Sequence, residues 1–310
     1  MLKRFKRFAG NSSGFTLLEL IVVITIMGFL AAILAPRLAR VSDAGVDMQC
    51  DQNKHRLTEI LASFVQQNNR LPNYLVNLAV KDKNDNWDIS SCDNDPDNGP
   101  EFLSEEFNAH NNLGLYKLGG DDVNALKAMG ISNIILYKDT GLSDPEKRWE
   151  NLGVQSVTTS VYLAMVGAGA GGLSSGAKYS DPSLIGRLLL GVGPDCELVK
   201  KGLITNAGIY ADSQRKTDYY KYGYYTIILP RLASGVEWVA ANVIDKDPDT
   251  PGIQVEAFFD ANDNEKQDTG ERVETFTVDE EQDVWDFYVM CPEGHKFHIS
   301  IDGEHAWVLL

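Results

Sequence analysis

The residues best placed for chemistry form the stretch DANDNEKQDTGE, which begins at Asp260. Oxygen-bearing side chains alternate along its first half and return at its end. Positions 1, 3, 5, 7, 9 and 12 of such a loop wrap a hard cation, with position 7 contributing its main-chain carbonyl. The stretch therefore predicts a calcium site, whose ligands would be Asp260, Asn262, Asn264, Lys266, Asp268 and Glu271.

Position 6 of this loop departs from the EF-hand pattern, because Glu265 stands where that pattern has glycine. We expect a looser turn there, in which Asp263 is able to join the ligands. The flanking FF and RV also resemble the strands around calcium loops of bacterial surface β-domains. The alternative is a solvated acidic turn.

Two further acidic clusters have alternating spacing. The first is a weaker calcium candidate in which Gly99 supplies a turn, and its carboxylates are Asp93, Asp95, Asp97 and Glu101. The second is interpreted as a solvated turn, because prolines stiffen it, and it contains Asp245, Asp247 and Asp249.

Other motifs are less specific. GAGAGG at 167–172 matches a dinucleotide loop, and GLSSG at 172–176 matches a hydrolase elbow with Ser174 as nucleophile. The turn-forming residues around both favour a surface loop. Cys291, His295 and His298 are a weak candidate zinc site. The favoured interpretation is a disulfide at Cys291 and two histidines that flank the start of a strand. The tyrosine-rich segment has two interpretations: an aromatic platform that binds a glycan, and a half-buried strand, which is favoured. Its residues are Tyr219, Tyr220, Tyr222, Tyr224 and Tyr225.

The four cysteines allow two disulfides in an oxidising compartment, with three connectivities open. Proximity in sequence favours Cys50 with Cys92 and Cys196 with Cys291.

The formal charge of −16 disfavours nucleic acid and favours divalent cations as partners. The N-terminal segment carries four bases, Lys3, Arg4, Lys6 and Arg7, so its removal would leave −20.

Residues 15–35 form an apolar run of 21 residues after these bases, and Pro36 follows it directly. The run contains one charged residue, Glu19. The run is enough helix to cross about 30 Å of hydrocarbon, and the preceding bases predict a cytoplasmic N-terminus. A carboxylate in lipid is costly and normally has a partner or a function. An ordinary anchor that tolerates an interfacial acid is the alternative.

The sequence Gly14-Phe15-Thr16-Leu17-Leu18-Glu19 after a short basic leader resembles the class III leader of type IV pilins and type II secretion pseudopilins. The resemblance implies cleavage between Gly14 and Phe15 by prepilin peptidase and methylation of Phe15. It also implies an inner-membrane assembly platform and other pilin or pseudopilin subunits as partners. The subunit would be single-pass in the inner membrane, with its head in the periplasm, until it enters a filament.

In a filament core, both Glu19 and the new Phe15 amine would lose water. Pairing Glu19 of one subunit with the Phe15 amine of a neighbour would offset that cost. Gly28 and Pro36 weaken the helix between them, which is either an extensible interval or a simple kink.

The predicted organisation is α+β: a leader at 1–14, a membrane or filament-core helix at 15–36, its amphipathic periplasmic continuation at 37–70, and a pilin-like head at 71–310. Turn-separated β signals predict a mainly antiparallel sheet at 215–310. The long helix would pack on this sheet, and the head's size predicts an elaborated α/β insertion. We predict a non-enzymatic filament subunit, a minor pilin or pseudopilin; an adhesin head and, more weakly, an anchored hydrolase are the alternatives.

Overall fold

The computed structural model describes residues 17–89, 107, 111–142, 147–204, 224–242, 253–262, 264–278, 281–291 and 307–310. The chain divides into two compact units, Met1–Val46 and Asp47–Leu310. The first helix, α1 (Leu17–Asn68), contains the boundary between them.

The described part of the first unit is the beginning of α1. Its side chains are largely apolar and exposed, among them Leu17, Leu20, Ile24, Met27 and Phe29. Over the described residues, no helix combines the length and the apolar character that crossing a membrane requires.

Within the second unit, α1 is amphipathic, as its sequence predicts. Buried residues recur every three or four positions along one face, namely Cys50, Lys54, Leu57, Leu61, Phe64 and Val65. The helix ends at Asn68, two residues before the predicted end of its amphipathic continuation at 70. Asn69 takes a left-handed φ of 53° and its amide donates to the carbonyl of Val65 at 2.7 Å, so the last turn is closed by an asparagine that tolerates this conformation.

The larger sheet has ten strands. They are β1 (Leu75–Asn77), β2 (Ala79–Lys81), β3 (Trp87–Ile89), β4 (Gly114–Lys117), β5 (Asn133–Asp139), β6 (Trp149–Ser156), β7 (Tyr162–Met165), β9 (Leu188–Gly191), β10 (Thr226–Ile228) and β13 (Tyr288–Met290). Seven of them follow the order β13-β10-β9-β1-β5-β2-β3. β5 runs parallel to β1 and β2, and every other described pair is antiparallel.

The smaller sheet is antiparallel throughout, in the order β12-β11-β14-β8. Its strands are β8 (Lys178–Tyr179), β11 (Gln254–Phe259), β12 (Val273–Thr277) and β14 (Trp307–Leu309). Residues of both sheets, such as Leu189, Ile228, Val255 and Trp307, share one buried cluster. The chain is therefore α+β, with a long N-terminal helix and largely antiparallel sheets, as predicted.

The described residues of the second unit contain three shorter helices of four residues or more: α2 (Gly120–Ala128), α3 (Glu197–Lys200) and α4 (Ala233–Asn242). The sequence correctly predicts α2, which begins near Asp121 and ends before Gly130. It wrongly predicts a strand at 235–244, where α4 forms. It also predicts one short helix between Pro182 and Leu190, where a 3₁₀ turn (Pro182–Leu184) is followed by β9.

Candidate functional sites

The predicted processing and assembly residues are Gly14, Phe15, Glu19, Gly28 and Pro36. Gly14 and Phe15 fall outside the described residues, whereas Glu19 is the third residue of α1. Gly28 has no heavy atom within 4 Å of the position that a Cβ would take, and α1 continues without interruption through Pro36.

The loop at 260–271 joins β11 to β12, and its first residue closes it. Asp260 is only 1% exposed. Its Oδ1 accepts from the amide of Asn264 at 3.1 Å, and its Oδ2 accepts from the amide of Glu265 at 2.8 Å. A buried carboxylate at position 1 therefore holds positions 5 and 6 in place.

The remaining predicted ligands belong to the same hydrogen-bond network. Oδ2 of Asp268 accepts from the side-chain amides of Asn262 at 2.8 Å and Asn264 at 2.7 Å, and these bonds lower the pKa of Asp268 below its usual range. The amide of Lys266 donates to Oδ1 of Asn264, and Oε2 of Glu271 accepts from the amide of Asp268 at 2.9 Å. The structure thus links all six predicted ligand residues.

Glu265 adopts the conformation that glycine would supply. Its φ is 60°, in the left-handed region, so the turn at position 6 is present despite the substitution. Its side chain lies toward β8, where Nζ of Lys178 is 3.1 Å from Oε1. Asp263 lies outside the described residues. No three carboxylate, thiol or imidazole groups in the described parts of the chain come close enough together to hold a metal ion.

Comparison with known families decides the nature of the N-terminal segment. A family model described as the prokaryotic N-terminal methylation motif matches residues 10–35. The chain carries the prokaryotic N-terminal methylation motif. This match contains the predicted scission point, Glu19 and the apolar run, and it identifies the segment as the class III prepilin leader of type IV pilins and pseudopilins.

The methylation motif implies membrane insertion, processing by prepilin peptidase and assembly with other pilin subunits. Its family is structural rather than catalytic. No curated protein and no solved structure matches the chain. The head, outside the methylation motif, is therefore interpreted from its own residues.

The predicted pairing of Cys196 with Cys291 is not present: both residues are buried, and no disulfide joins them. β10 lies between β13, which Cys291 follows, and β9, which precedes Cys196. Burial raises the pKa of Cys196 to about 12.

Cys50 is also buried and forms no disulfide with Cys196 or Cys291, and the predicted partner Cys92 lies outside the described residues. The hydroxyl of Tyr225 lies 3.4 Å from Sγ of Cys50 and donates to it. Burial raises the pKa of this phenol far above its usual value. Tyr224 and Tyr225 are both buried, so the described end of the tyrosine-rich segment belongs to the core rather than to an exposed platform.

The remaining sequence candidates either differ from catalytic geometry or lie outside the described residues. The hydroxyl of Ser174 donates to the carbonyl of Gly171 at 2.6 Å, and Ser174 does not take the positive φ of a strained elbow. The predicted residues that also lie outside the described part of the chain are Asp93, Asp95, Asp97, Glu101, Asp245, Asp247, Asp249, His295, His298, Tyr219, Tyr220 and Tyr222.

Sequence reasoning missed two buried arginines, Arg187 and Arg231, which are 2% and 1% exposed. Both guanidinium groups donate to main-chain carbonyls of neighbouring loops. No motif marks them, because their partners are backbone atoms far away in sequence.

Proposed function

We propose that the chain is a structural subunit, a minor pilin or pseudopilin, of a type IV pilus or type II secretion filament. The match of residues 10–35 to the methylation motif carries this proposal. A helix of 52 residues that begins within the matched segment fits a filament subunit, because such a helix is about 80 Å long. The head at 71–310 is large and acidic, which favours a minor subunit over a tightly packed major one.

In this proposal, leader removal between Gly14 and Phe15 creates the partner that Glu19 requires. The new amine of Phe15 and the carboxylate of Glu19 both lose water when α1 enters a filament core. Pairing Glu19 with the Phe15 amine of a neighbour neutralises both charges and fixes the axial register of the two helices. Removing one partner of a buried ion pair costs about 3–5 kcal/mol, because the other charge remains desolvated.

Glu19→Gln tests the pairing, since it removes the charge and retains the shape. We expect normal removal of the first 14 residues, measured by intact mass, and incorporation into filaments reduced about 100-fold. Glu59→Gln is the matched control, because Glu59 is an exposed acid on the same helix; it should leave both readouts unchanged. Normal incorporation of Glu19→Gln would refute the pairing, and an uncleaved wild-type leader would refute the processing.

We further propose that the loop 260–271 binds calcium. The specific observation that favours it is the left-handed Glu265 at position 6, combined with the buried Asp260 that accepts from positions 5 and 6. Calcium would require the side-chain oxygens of Asn262 and Asn264 to turn toward the centre of the loop, where their amide groups now donate to Asp268. Its role would be to rigidify the hairpin between β11 and β12.

A further inference from the structure

Trp285 is an exposed aromatic residue in the segment that leads into β13. All five tryptophans lie in the described part of the chain; Trp149 and Trp307 are buried, Trp87 and Trp238 are half-buried, and Trp285 alone is exposed, at 51%. A tryptophan gains more than most residues from burial, so an exposed one on a fixed backbone is available to bury its surface against a partner.

The turn that carries Trp285, residues 282–286, is closed by its own hydrogen bonds. The amide of Asp283 donates to Oδ2 of Asp286 at 3.1 Å, and the amide of Asp286 donates to the carbonyl of Asp283 at 2.9 Å. The tryptophan therefore projects from a closed turn and not from an open loop. We call residues 282–286 the Trp285 turn.

Arg231 fixes the start of the Trp285 turn. Its amide donates to Oε1 of Gln282 at 3.0 Å, and the amide of Gln282 donates back to the carbonyl of Arg231 at 3.1 Å. Its buried guanidinium donates to the carbonyls of Ile185 at 2.9 Å and Ser183 at 2.6 Å. The turn is thereby attached to the segment that leads into β9.

Arg187 fixes the end of the Trp285 turn. Nη1 donates to the carbonyl of Asp286 at 2.7 Å, and the guanidinium lies 4.8 Å from the ring centre of Tyr288. Nε of Arg187 is buried without a hydrogen-bond partner among the described residues. Burial lowers the pKa of this guanidinium, which reflects the cost of placing the charge there. The guanidinium of Arg187 thus holds the end of the Trp285 turn, and the main chain of Arg231 holds its start.

We propose that Trp285 is the central anchor of a docking surface for a different prepilin-type subunit, one that presents an apolar pocket bordered by lysine and arginine. This inference rests on the proposed filament function. The partner's charge follows from the turn itself, because Glu281, Asp283 and Asp286 are exposed carboxylates and residues 281–286 contain no base. A second copy of the chain is disfavoured, since each copy carries a formal charge of −20 once the leader with its four bases is removed.

The fixed turn explains how one side chain is able to anchor the contact. Ordering a loop on binding consumes free energy that rigid presentation saves, and exposed tryptophans at the centre of interfaces commonly dominate affinity. The surrounding carboxylates accelerate encounter with a basic surface and reject acidic ones.

A photo-crosslinking amino acid at position 285 of the full chain, in a host that assembles its filaments, tests the proposal. We expect irradiation to link position 285 to a peptide of another prepilin-type subunit that contains basic residues, identified by mass spectrometry. The same amino acid at Leu142, which is 50% exposed, is the matched control and should give at least about tenfold less of this product. Equal yields at the two positions would overturn the proposal, as would a product with a second copy, an acidic peptide or a glycan.

A charge reversal separates electrostatic docking from accidental proximity. With the crosslinker at 285, Asp283→Lys should lower the yield at least about tenfold, whereas Glu150→Lys, an equal charge change on exposed β6, should not. Equal yields for the two variants would contradict the basic partner. Leader removal and filament incorporation are recorded in the same cells. Their failure would refute the proposed function, whereas normal incorporation without a specific product at 285 would refute only the docking surface.

Discussion

Arg70 and Glu197 form a two-armed ion pair that ties the connection after α1 to the start of α3. Nη1 lies 2.7 Å from Oε2, and Nη2 lies 2.6 Å from Oε1. The same carboxylate accepts from the amide of Asn73 at 3.1 Å, and Asn73 accepts from the amide of Glu197 at 3.0 Å. The path from α1 into β1 is therefore held at two successive points.

Breaking this pair should destabilise the head. For Arg70→Met we expect a free energy of unfolding about 1.5–3 kcal/mol lower than that of the wild type, because hydrogen bonds to charged groups are lost around a carboxylate that is 13% exposed. Urea unfolding followed by circular dichroism measures the change.

Lys138→Met is the matched control, because Lys138 pairs at 2.6 Å with Asp85, whose side chain is 73% exposed. It should cost less than about 1 kcal/mol. Equal losses in the two variants would show that the Arg70 pair has no special role.

The same pair predicts a pH dependence. Hydrogen bonding to Arg70, together with contacts from Lys201 and the amide of Asn73, lowers the pKa of Glu197 to about 2 from an ordinary 4.5. Because the pKa of Glu197 is lower in the folded protein than in the unfolded chain, its carboxylate contributes its full stabilisation at pH values above 4.5. This stabilisation is lost as the pH falls from there through about 2.

The difference in unfolding free energy between the wild type and Glu197→Gln should therefore be constant from neutral pH down to about 5 and should shrink below it. Urea titrations at a series of pH values measure it. A difference that does not change down to pH 2 would contradict the assignment.

Calcium should raise the thermal stability of the head. One ion bound to the folded state at 100 times its dissociation constant adds about 2.7 kcal/mol, and Asp268→Ala should abolish this calcium-dependent increase. Differential scanning calorimetry with calcium and with chelator measures it.

Asp283→Ala, which removes an exposed acid outside the loop, is the control and should retain the calcium response. A wild-type melting temperature that is identical in calcium and in chelator would refute calcium binding.

The close approach of β4 to the glycine-rich loop depends on Gly114. A Cβ at this position would lie 1.9 Å from the carbonyl oxygen of Ala168. Gly114→Ala should therefore lower the unfolding free energy by about 2–3 kcal/mol. Gly120→Ala, at the first position of α2 with nothing within 4 Å, should be neutral or slightly stabilising in the same urea titration. Comparable losses in the two variants would argue against the steric explanation.

The sequence predicted the features that local chemistry determines. α2 follows from its acids and Gly130, and the polar residues at 68–70 predict the end of α1 to within two residues. The methylation motif was also identifiable, because it is contiguous and its function depends on residue spacing.

Features that depend on distant contacts were missed. The segment at 235–244 is rich in valine and tryptophan, which favours a strand, yet Gly235 packs against the carbonyl of Gly186 and Val239 is buried one turn later. Packing against that loop selects the helix α4. The cysteine pairing failed for a similar reason, since strand order rather than sequence proximity separates Cys196 from Cys291.

The parallel alignment of β5 with β1 and β2 has a mechanical consequence. A pull along α1 passes through Arg70 into β1, and the hydrogen bonds between β1 and β5 lie across the strands. Parallel strands loaded along their length shear, so that several bonds resist at once, whereas a hairpin pulled from one end unzips bond by bond. Because β1 is paired with β5 on one side and with β9 on the other, a load that enters β1 along its length meets the bonds to both neighbours.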